Sequence, residues 1–299
     1  MTIAEVFQSE PWLLIASAFL FSLLVGSFLN VVIHRLPLML DRQWREQADE
    51  IAGKEPVDEA NERFNLVVPR SRCPSCGAAI KAHQNIPVLS YLLLRGRCAK
   101  CRTRISPRYP VVELVTALLS AAVAWRFGWH WQTLAGLAFT WALVALTVID
   151  FDHQILPDVI TLPLLWLGLL LSLAWSAGLR PPAPVDPRSA IIGAAAGYLS
   201  LWLVYWTFRL LTGKEGMGYG DFKLFGALGA WMGWQMLPMI ILLSAFAGAV
   251  FGIAMIALRG RDKNVPMPFG PYLAAAGWIA LMWGPQIVSG YLDVSGLSR

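Results

Sequence analysis

Charged residues are scarce in this chain, and their scarcity argues against an ordinary water-soluble globular domain. Only 14% of the 299 residues are charged, whereas 57% are hydrophobic. Soluble domains typically have about a quarter of their residues charged. The 14 Trp residues agree with a membrane location, because amphipathic aromatic side chains collect at bilayer interfaces. The composition therefore predicts an integral membrane protein.

Lys and Arg are absent from the first 34 residues. A cleaved secretory signal would begin with a basic stretch and end soon after its apolar run. Here the leading residues include Glu5 and Glu10, and the apolar run continues past Ala16, Ser17 and Ala18. We therefore expect a first transmembrane helix that is retained.

Apolar runs suited to crossing a bilayer occur about eight times along the sequence. A helix needs roughly 20 such residues to cross about 30 Å of hydrocarbon. These runs predict an all-α polytopic membrane protein. Its transmembrane helices are expected to contact membrane lipid. The predicted spans are Trp12–Ile33, Pro110–Phe127, Thr133–Ile149, Val159–Gly178, Ala190–Leu211, Phe222–Leu237, Met239–Leu258 and Tyr272–Val288.

The basic residues predict the orientation of these spans, because Lys and Arg near span ends stay on the cytoplasmic side. Fourteen of the 24 lie between residues 35 and 108, and six more lie in or beside the loops after the fifth and seventh spans. The other side has Arg126, Arg180, Arg188 and Arg299. We predict a multi-pass protein of the cell inner (cytoplasmic) membrane with both termini periplasmic. The net charge of +5 then follows from topology and calls for no nucleic-acid partner.

Cysteine is absent outside one polar segment. Cys73, Cys76, Cys98 and Cys101 form two C-x2-C pairs separated by 21 residues. Four thiolates in this pattern can close a tetrahedral site around zinc. The alternative is two disulfides or four unrelated thiols, but the predicted cytosolic location is reducing and favours the metal. We predict a structural zinc, because four thiolates leave no open position for water or substrate.

The sequence divides into three predicted domains. Residues 1–34 form the first transmembrane helix, residues 35–108 form a cytosolic loop with the zinc-binding cysteines, and residues 109–299 form a seven-helix transmembrane domain. The early part of the loop is expected to be helical or partly mobile, because acidic and basic side chains lie three or four residues apart but there is little apolar surface to bury. These side chains are Arg42, Arg45, Glu46, Asp49 and Glu50.

Two aspartates border apolar spans. Asp150 ends the third span and Asp221 opens the sixth, after Gly216-Met217-Gly218-Tyr219-Gly220. An acid in such a place is expensive unless it pairs, lines a wet cavity or titrates for a purpose. The predicted topology puts both at the cytoplasmic face, where paired carboxylates could supply the acid and the base of an aspartic protease. The glycines could serve an extended substrate or simply a tight turn, and they lack the spacing of a dinucleotide-binding loop.

Several segments together resemble bacterial type IV prepilin peptidases. Gly218–Asp221 matches the GxGD motif of intramembrane aspartic proteases, a short motif that is weak alone. Its companions make the resemblance specific, and it extends in order from about Gly26 to Pro271. They are Gly26–Pro37, Ser71–Cys76, Ile105–Leu114 and Ile149–Asp158.

The resemblance implies an enzyme with two activities. Asp150 and Asp221 would be the catalytic pair, and Cys73, Cys76, Cys98 and Cys101 would bind zinc. The enzyme would cleave the leader of type IV prepilins and type II secretion pseudopilins on the cytoplasmic side. It would then methylate the new N-terminal amine with S-adenosylmethionine. No motif for this cofactor is evident, and we place the methyl transfer in the 35–108 loop, where Leu94–Arg97 offers flexible backbone and charge.

Four further side chains have simpler interpretations. Asp152 lies about 200° around a helix from Asp150 and should face elsewhere. Asp158 suits an N-cap of the fourth span. Glu113 should lie in the first helical turn after Pro110, where an acid is favoured by the helix dipole, and a role near the site is the alternative. Lys223 should extend to the membrane interface.

Two other functions stay open at this point. A proton-coupled transporter could use Asp150 and Asp221 as a relay, although such proteins typically have paired repeats and the sequence has none that we detect. A non-enzymatic zinc-ribbon membrane adaptor would explain the cysteines but leave the two aspartates without a purpose.

Overall fold

The computed structural model describes residues 2–54, 64–176, 185–259 and 267–296, without the side chains of residues 82–83, 174–176, 256 and 259. The chain divides into two compact units, Met1–Trp125 and Arg126–Arg299. The predicted loop residues 55–63 and the end of the predicted span Val159–Gly178 lie outside the described residues.

The first unit contains α1 (Ile3–Ser9), α2 (Pro11–Ile51), α3 (Leu89–Leu93) and most of α4 (Arg108–Phe127), with a short 3₁₀ turn at Ala82–Asn85. α2 continues 18 residues beyond the predicted span end at Ile33. Its last part is polar and includes an Arg45–Asp41 ion pair of 2.8 Å. The early loop is therefore helical as far as Ile51, one of its two expected states. The domain boundary at residue 34 stays a prediction, since α2 passes through it without a break.

α2 and α4 approach each other closely within this unit. A Cβ on Gly26 would lie 2.7 Å from the Cα of Glu113, so only glycine permits the contact. Nearby, Asn30 Nδ2 donates to the carbonyl oxygen of Tyr109 at 3.1 Å. This contact holds α4 against the apolar part of α2.

The second unit contains the remaining helices. They are α5 (Trp131–His153), α6 (Asp158–Ser176), α7 (Pro187–Thr212), α8 (Tyr219–Met232), α9 (Leu237–Arg259) and α10 (Gly270–Val294). α8 packs against α6, α7 and α10. Residues 221–222 and 224–232 of this helix are all buried, so α8 is the centre of the unit's core.

Glycines bring α7 onto α8. A Cβ on Gly193 would collide with the backbone of Gly229, and one on Gly229 would collide with Gly193. One turn further on, a Cβ on Gly197 would lie 2.6 Å from the carbonyl oxygen of Phe225. Such small residues let two membrane helices approach to backbone contact.

The described helices confirm an all-α membrane architecture. Each of the eight predicted spans overlaps a helix, and five stretches are long and apolar enough to cross a bilayer. The exact count of eight spans is not confirmed. α8 has 14 residues, or about 21 Å at 1.5 Å per residue, which is short of a bilayer crossing. The five stretches are Pro11–Ile51, Arg108–Phe127, Trp131–His153, Pro187–Thr212 and Trp234–Met255.

Candidate active site and metal centre

Asp150 lies in the last turn of α5 and is 5% exposed. Its Oδ2 accepts a hydrogen bond from the backbone N–H of Gly270, at the start of α10, at 3.0 Å. A Cβ at Gly270 would lie 2.6 Å from that oxygen. The carboxylate is therefore held by a backbone donor that only glycine can bring so close.

Asp221 lies in the first turn of α8 and is 6% exposed. Its Oδ2 accepts a hydrogen bond from the backbone N–H of Gly218 at 3.2 Å. The helix dipole favours an acid in this position. Its other oxygen, Oδ1, is buried and has no hydrogen-bond partner among the described residues. A buried carboxylate oxygen without a partner is costly, so this atom is the one in the site that calls for a ligand or water.

Contacts around the turn between α5 and α6 bring the two predicted aspartates together. Leu156, in this turn, packs against Gly220, next to Asp221, and against Gly270, whose N–H binds Asp150. A Cβ at Gly220 would lie 2.7 Å from Leu156 Cβ, and one at Gly270 would lie 3.2 Å from Leu156 Cδ1. Two carboxylates in a shared buried site cannot both ionise cheaply, so the pair can offer one acid and one base.

Asp152 differs from Asp150 as its helical position predicts. α5 continues to His153, and Asp152 is exposed whereas Asp150 is buried. The two acids are two residues apart on the same helix, which makes Asp152 a suitable control for Asp150.

The four cysteines form a cluster in the first unit. Their sulfurs all lie within 4.8 Å of one another, and Cys73 Sγ lies 3.8 Å from Cys101 Sγ. A tetrahedral zinc with bonds of about 2.3 Å would space its sulfur ligands by about 3.8 Å. The donor set and its spacing therefore fit zinc, and all four cysteines are free of disulfides.

The two cysteine pairs have the same backbone fold. Gly77 N–H donates to Cys73 O at 2.9 Å, and Arg102 N–H donates to Cys98 O at 3.0 Å. Gly77 and Arg102 occupy equivalent positions and both have positive φ, +66° and +60°. We call Cys73–Ala78 and Cys98–Thr103 the two knuckles.

Hydrogen bonds lower the pKa of two of the four thiols, which favours the thiolate form that binds zinc, whereas burial and the neighbouring cysteines raise the pKa of Cys76 to about 11. Backbone hydrogen bonds from Cys76 and Ser75 lower the pKa of the Cys73 thiol. The Thr103 side chain, with a backbone hydrogen bond from the same residue, lowers the pKa of Cys101 to about 6.

The proposed methyl-donor segment does not have the flexible backbone that the sequence suggested. Gly96 N–H donates to Tyr91 O at 2.8 Å, and Gly96 O accepts from Ile105 N–H at 2.8 Å. None of the buried side-chain polar atoms that lack a partner in the described structure lies in the 35–108 loop. The residues that would hold S-adenosylmethionine stay unassigned.

Lys223 and Asp158 differ from their sequence predictions. Lys223 Nζ lies 2.7 Å from both carboxylate oxygens of Asp158, so it forms an ion pair and does not extend alone to an interface. Asp158 is the first residue of α6, and its carboxylate binds this lysine in place of capping the helix. A lysine near a helix N-terminus interacts unfavourably with the helix dipole. The position of Lys223 was therefore the sequence feature that could have indicated an acidic partner.

Glu113 also differs from its prediction. α4 begins at Arg108, so Glu113 lies beyond the first turn, where it is 8% exposed. Its Oε2 accepts a hydrogen bond from the Val88 N–H at 2.8 Å. Val88 has φ +57°, and Leu89 N–H bonds back to Pro87 O, which defines a γ-turn with positive φ. Glu113 thus supports a strained turn, a contact that sequence spacing does not reveal.

The fold and the site define a class: a polytopic helical membrane protein with a buried pair of aspartates and a four-cysteine cluster suited to zinc. Comparison with known families agrees. The Bacterial Peptidase A24 N-terminal domain matches residues 20–127, and the Type IV leader peptidase family matches residues 137–253.

Three relatives in different genera are similar over most of their length, and each is named prepilin leader peptidase/N-methyltransferase. The chain is 57% identical to the one from Aeromonas salmonicida over 97% of both chains. It is 54% identical to the one from Pseudomonas aeruginosa over 99% of both, and 51% identical to the one from Neisseria gonorrhoeae over 86% of both. The chain belongs to the type IV leader peptidase family. No solved structure matches it significantly.

Proposed function

We propose that this chain is a bifunctional prepilin leader peptidase and N-methyltransferase. The observation that carries the hydrolytic half is the buried pair of Asp150 and Asp221, with Oδ1 of Asp221 unpartnered. The names of the relatives support both halves and favour this function over a transporter or a zinc-ribbon adaptor.

The aspartate pair can hydrolyse a peptide bond through water. The ionised carboxylate takes a proton from the water, and the water oxygen attacks the scissile carbonyl carbon. The protonated carboxyl gives its proton to the carbonyl oxygen. Collapse of the tetrahedral intermediate then breaks the C–N bond, and the leaving nitrogen receives the proton that came from water. Asp221 Oδ1 is the oxygen with free hydrogen-bonding capacity, which suits it to hold the water.

Zinc is proposed to be structural, held by Cys73, Cys76, Cys98 and Cys101. When bound, it would cross-link the two knuckles. A complete shell of four thiolates leaves no position for substrate, so the metal takes no part in hydrolysis.

The second reaction is proposed to methylate the N-terminal amine that cleavage creates. When bound, S-adenosylmethionine would supply an electrophilic methyl group to the neutral amine, leaving S-adenosylhomocysteine, and the amine would release one proton. Support for this half comes from the names of the relatives, while its residues in this chain stay unassigned.

The proposed partners are type IV prepilins and type II secretion pseudopilins, in an inner membrane. The distribution of Lys and Arg supports periplasmic termini and an active site at the cytoplasmic face.

The proposed function is tested with the full chain purified in detergent or reconstituted in lipid. Incubated with a prepilin that carries a basic leader, it should release the leader, as mass spectrometry of both products would show. With S-adenosylmethionine present, the mature pilin should gain the mass of one methyl group. A peptide that already begins at the mature N-terminus should also be methylated. Intact prepilin after incubation with folded protein in both lipid and detergent would contradict the proposal.

A further inference from the structure

The ion pair between Asp158 and Lys223 links the two chain segments that carry the aspartates. Lys223 is two residues after Asp221 in α8, and Asp158 is eight residues after Asp150, at the start of α6. The lysine contacts both oxygens of the carboxylate at 2.7 Å, so one ammonium binds the whole carboxylate.

The turn at residues 154–157 lies between Asp150 and this ion pair. Gln154, with φ +56°, ends α5, and its N–H donates to the carbonyl oxygen of Asp150 at 2.9 Å. Within the turn, Leu156 packs against Gly220, next to Asp221, and against Gly270, whose N–H holds Asp150. A shift of the turn would therefore move the support of both acids.

Stability alone gives a weak reason for the ion pair. The side chains of Lys223 and Asp158 are 30% and 52% exposed. Exposed pairs of this kind contribute about 0–1 kcal/mol to folding. In contrast, a displacement of about 1 Å in a catalytic group can lower a rate about a hundredfold.

We propose that Asp158 and Lys223 are positioning residues for the hydrolytic reaction. They hold the 154–157 turn on α8 and so set the separation of the two carboxylates. This inference rests on the proposed function, because its rate prediction needs a cleavage reaction.

The kinetic test compares Asp158→Asn and Lys223→Met with wild type on a prepilin substrate. Each variant should lower kcat about tenfold or more and leave KM within about twofold, since substrate contacts are kept while the carboxylates lose their alignment. Lys223→Arg should keep most of kcat, because a guanidinium also binds a carboxylate through two hydrogen bonds. A matched control is Arg45→Met, which breaks a 2.8 Å exposed pair on α2 and should leave kcat unchanged.

A second measurement needs no substrate. Hydrogen exchange at the amide of residue 154, which begins the turn, and at the amides of residues 160–161, which follow it, should be faster in Asp158→Asn and in Lys223→Met than in wild type. Lys223→Arg should exchange like wild type. Hydrogen exchange tests the effect of the ion pair on the turn separately from the proposed peptidase function, because the exchange difference is expected even if wild type fails to cleave prepilin.

Three results would overturn the positioning role. One is wild-type kcat in both charge-removing variants, and another is unchanged exchange at the turn. The third is a loss of activity that parallels a drop in melting temperature in the charge-removing variants and is equally large in Lys223→Arg. That result would mean that the ion pair has a structural role only.

Discussion

At the scale of single residues, sequence predicted the aspartate pair better than its surroundings. An acid at the edge of an apolar run is conspicuous, and both Asp150 and Asp221 proved to be buried. The partners of Lys223 and Glu113 were not predictable in this way, because each contact joins residues far apart in sequence. Lys223 meets Asp158 across 65 positions, and Glu113 meets Val88 across 25.

Arg102 offers a residue-scale test of the knuckles. Positive φ costs a non-glycine residue about 1–2 kcal/mol, and Gly77 avoids that cost at the equivalent position. Arg102→Gly should therefore tighten zinc binding, since metal binding and knuckle folding are coupled. Glycine is more flexible in the unfolded chain, which costs about 0.5–1 kcal/mol of the stability gained by removing the positive-φ strain. The net gain corresponds to a roughly two- to fivefold higher zinc affinity.

The matched variant for this test is Gly77→Arg, which should weaken zinc binding by a similar factor. Competition with a chromophoric chelator measures both affinities. Equal affinity in wild type, Arg102→Gly and Gly77→Arg would refute the equivalence of the two knuckles.

At the scale of elements, the metal centre joins two short segments that have little apolar surface of their own. The account predicts about one zinc per chain in protein purified without chelators. Cys76→Ser should lose most of that zinc and destabilise the loop, while α8 and its aspartate keep their fold. Elemental analysis measures the metal, and hydrogen exchange compares the loop with α8. Zinc-free wild-type protein would contradict the metal assignment.

The contact of α7 with α8 gives another prediction at this scale. Gly193→Ala places a methyl group against the backbone of Gly229, where neither helix can yield without moving α8. Overpacking of this kind costs about 1–3 kcal/mol, so the melting temperature and prepilin cleavage should both fall.

Gly290→Ala is the control for this helix contact. A Cβ at Gly290 meets nothing within 4 Å, and alanine favours the helix by about 0.5–1 kcal/mol. Its melting temperature should be unchanged or higher. A Gly193→Ala protein as stable and active as Gly290→Ala would show that the close approach of α7 and α8 is not needed.

Helix existence was easier to predict from sequence than helix length. α2 runs past Ile33 because its polar part forms ion pairs along one helix, while hydropathy detects only the apolar part. α8 is the opposite case, because its helix is shorter than the span that its apolar residues predicted. It is apolar, yet its 14 residues are surrounded by α6, α7 and α10, so burial in protein explains its composition as well as lipid would.

At the scale of the whole molecule, a membrane fold carries a buried pair of acids, and the chain belongs to a family of leader peptidases. The scarcity of charge and the apolar runs predicted the membrane class, and the four segments around the GxGD motif predicted the family. The site of methyl transfer was not predictable, because the sequence has no recognisable cofactor motif and the Leu94–Arg97 turn is internally hydrogen-bonded.

Cleavage of purified prepilin by Asp150→Asn, Asp221→Asn and Asp152→Asn tests whether the buried pair performs the hydrolysis. Asparagine keeps the size of the side chain and an oxygen that accepts the N–H of Gly270 or Gly218, so folding and membrane insertion should survive. The account predicts that either of the first two variants loses cleavage by about a hundredfold or more, because asparagine cannot exchange a proton with water. Exposed Asp152→Asn should retain most of the wild-type rate. Near-normal cleavage by folded Asp150→Asn or Asp221→Asn would contradict the aspartyl mechanism, whatever the other variants do.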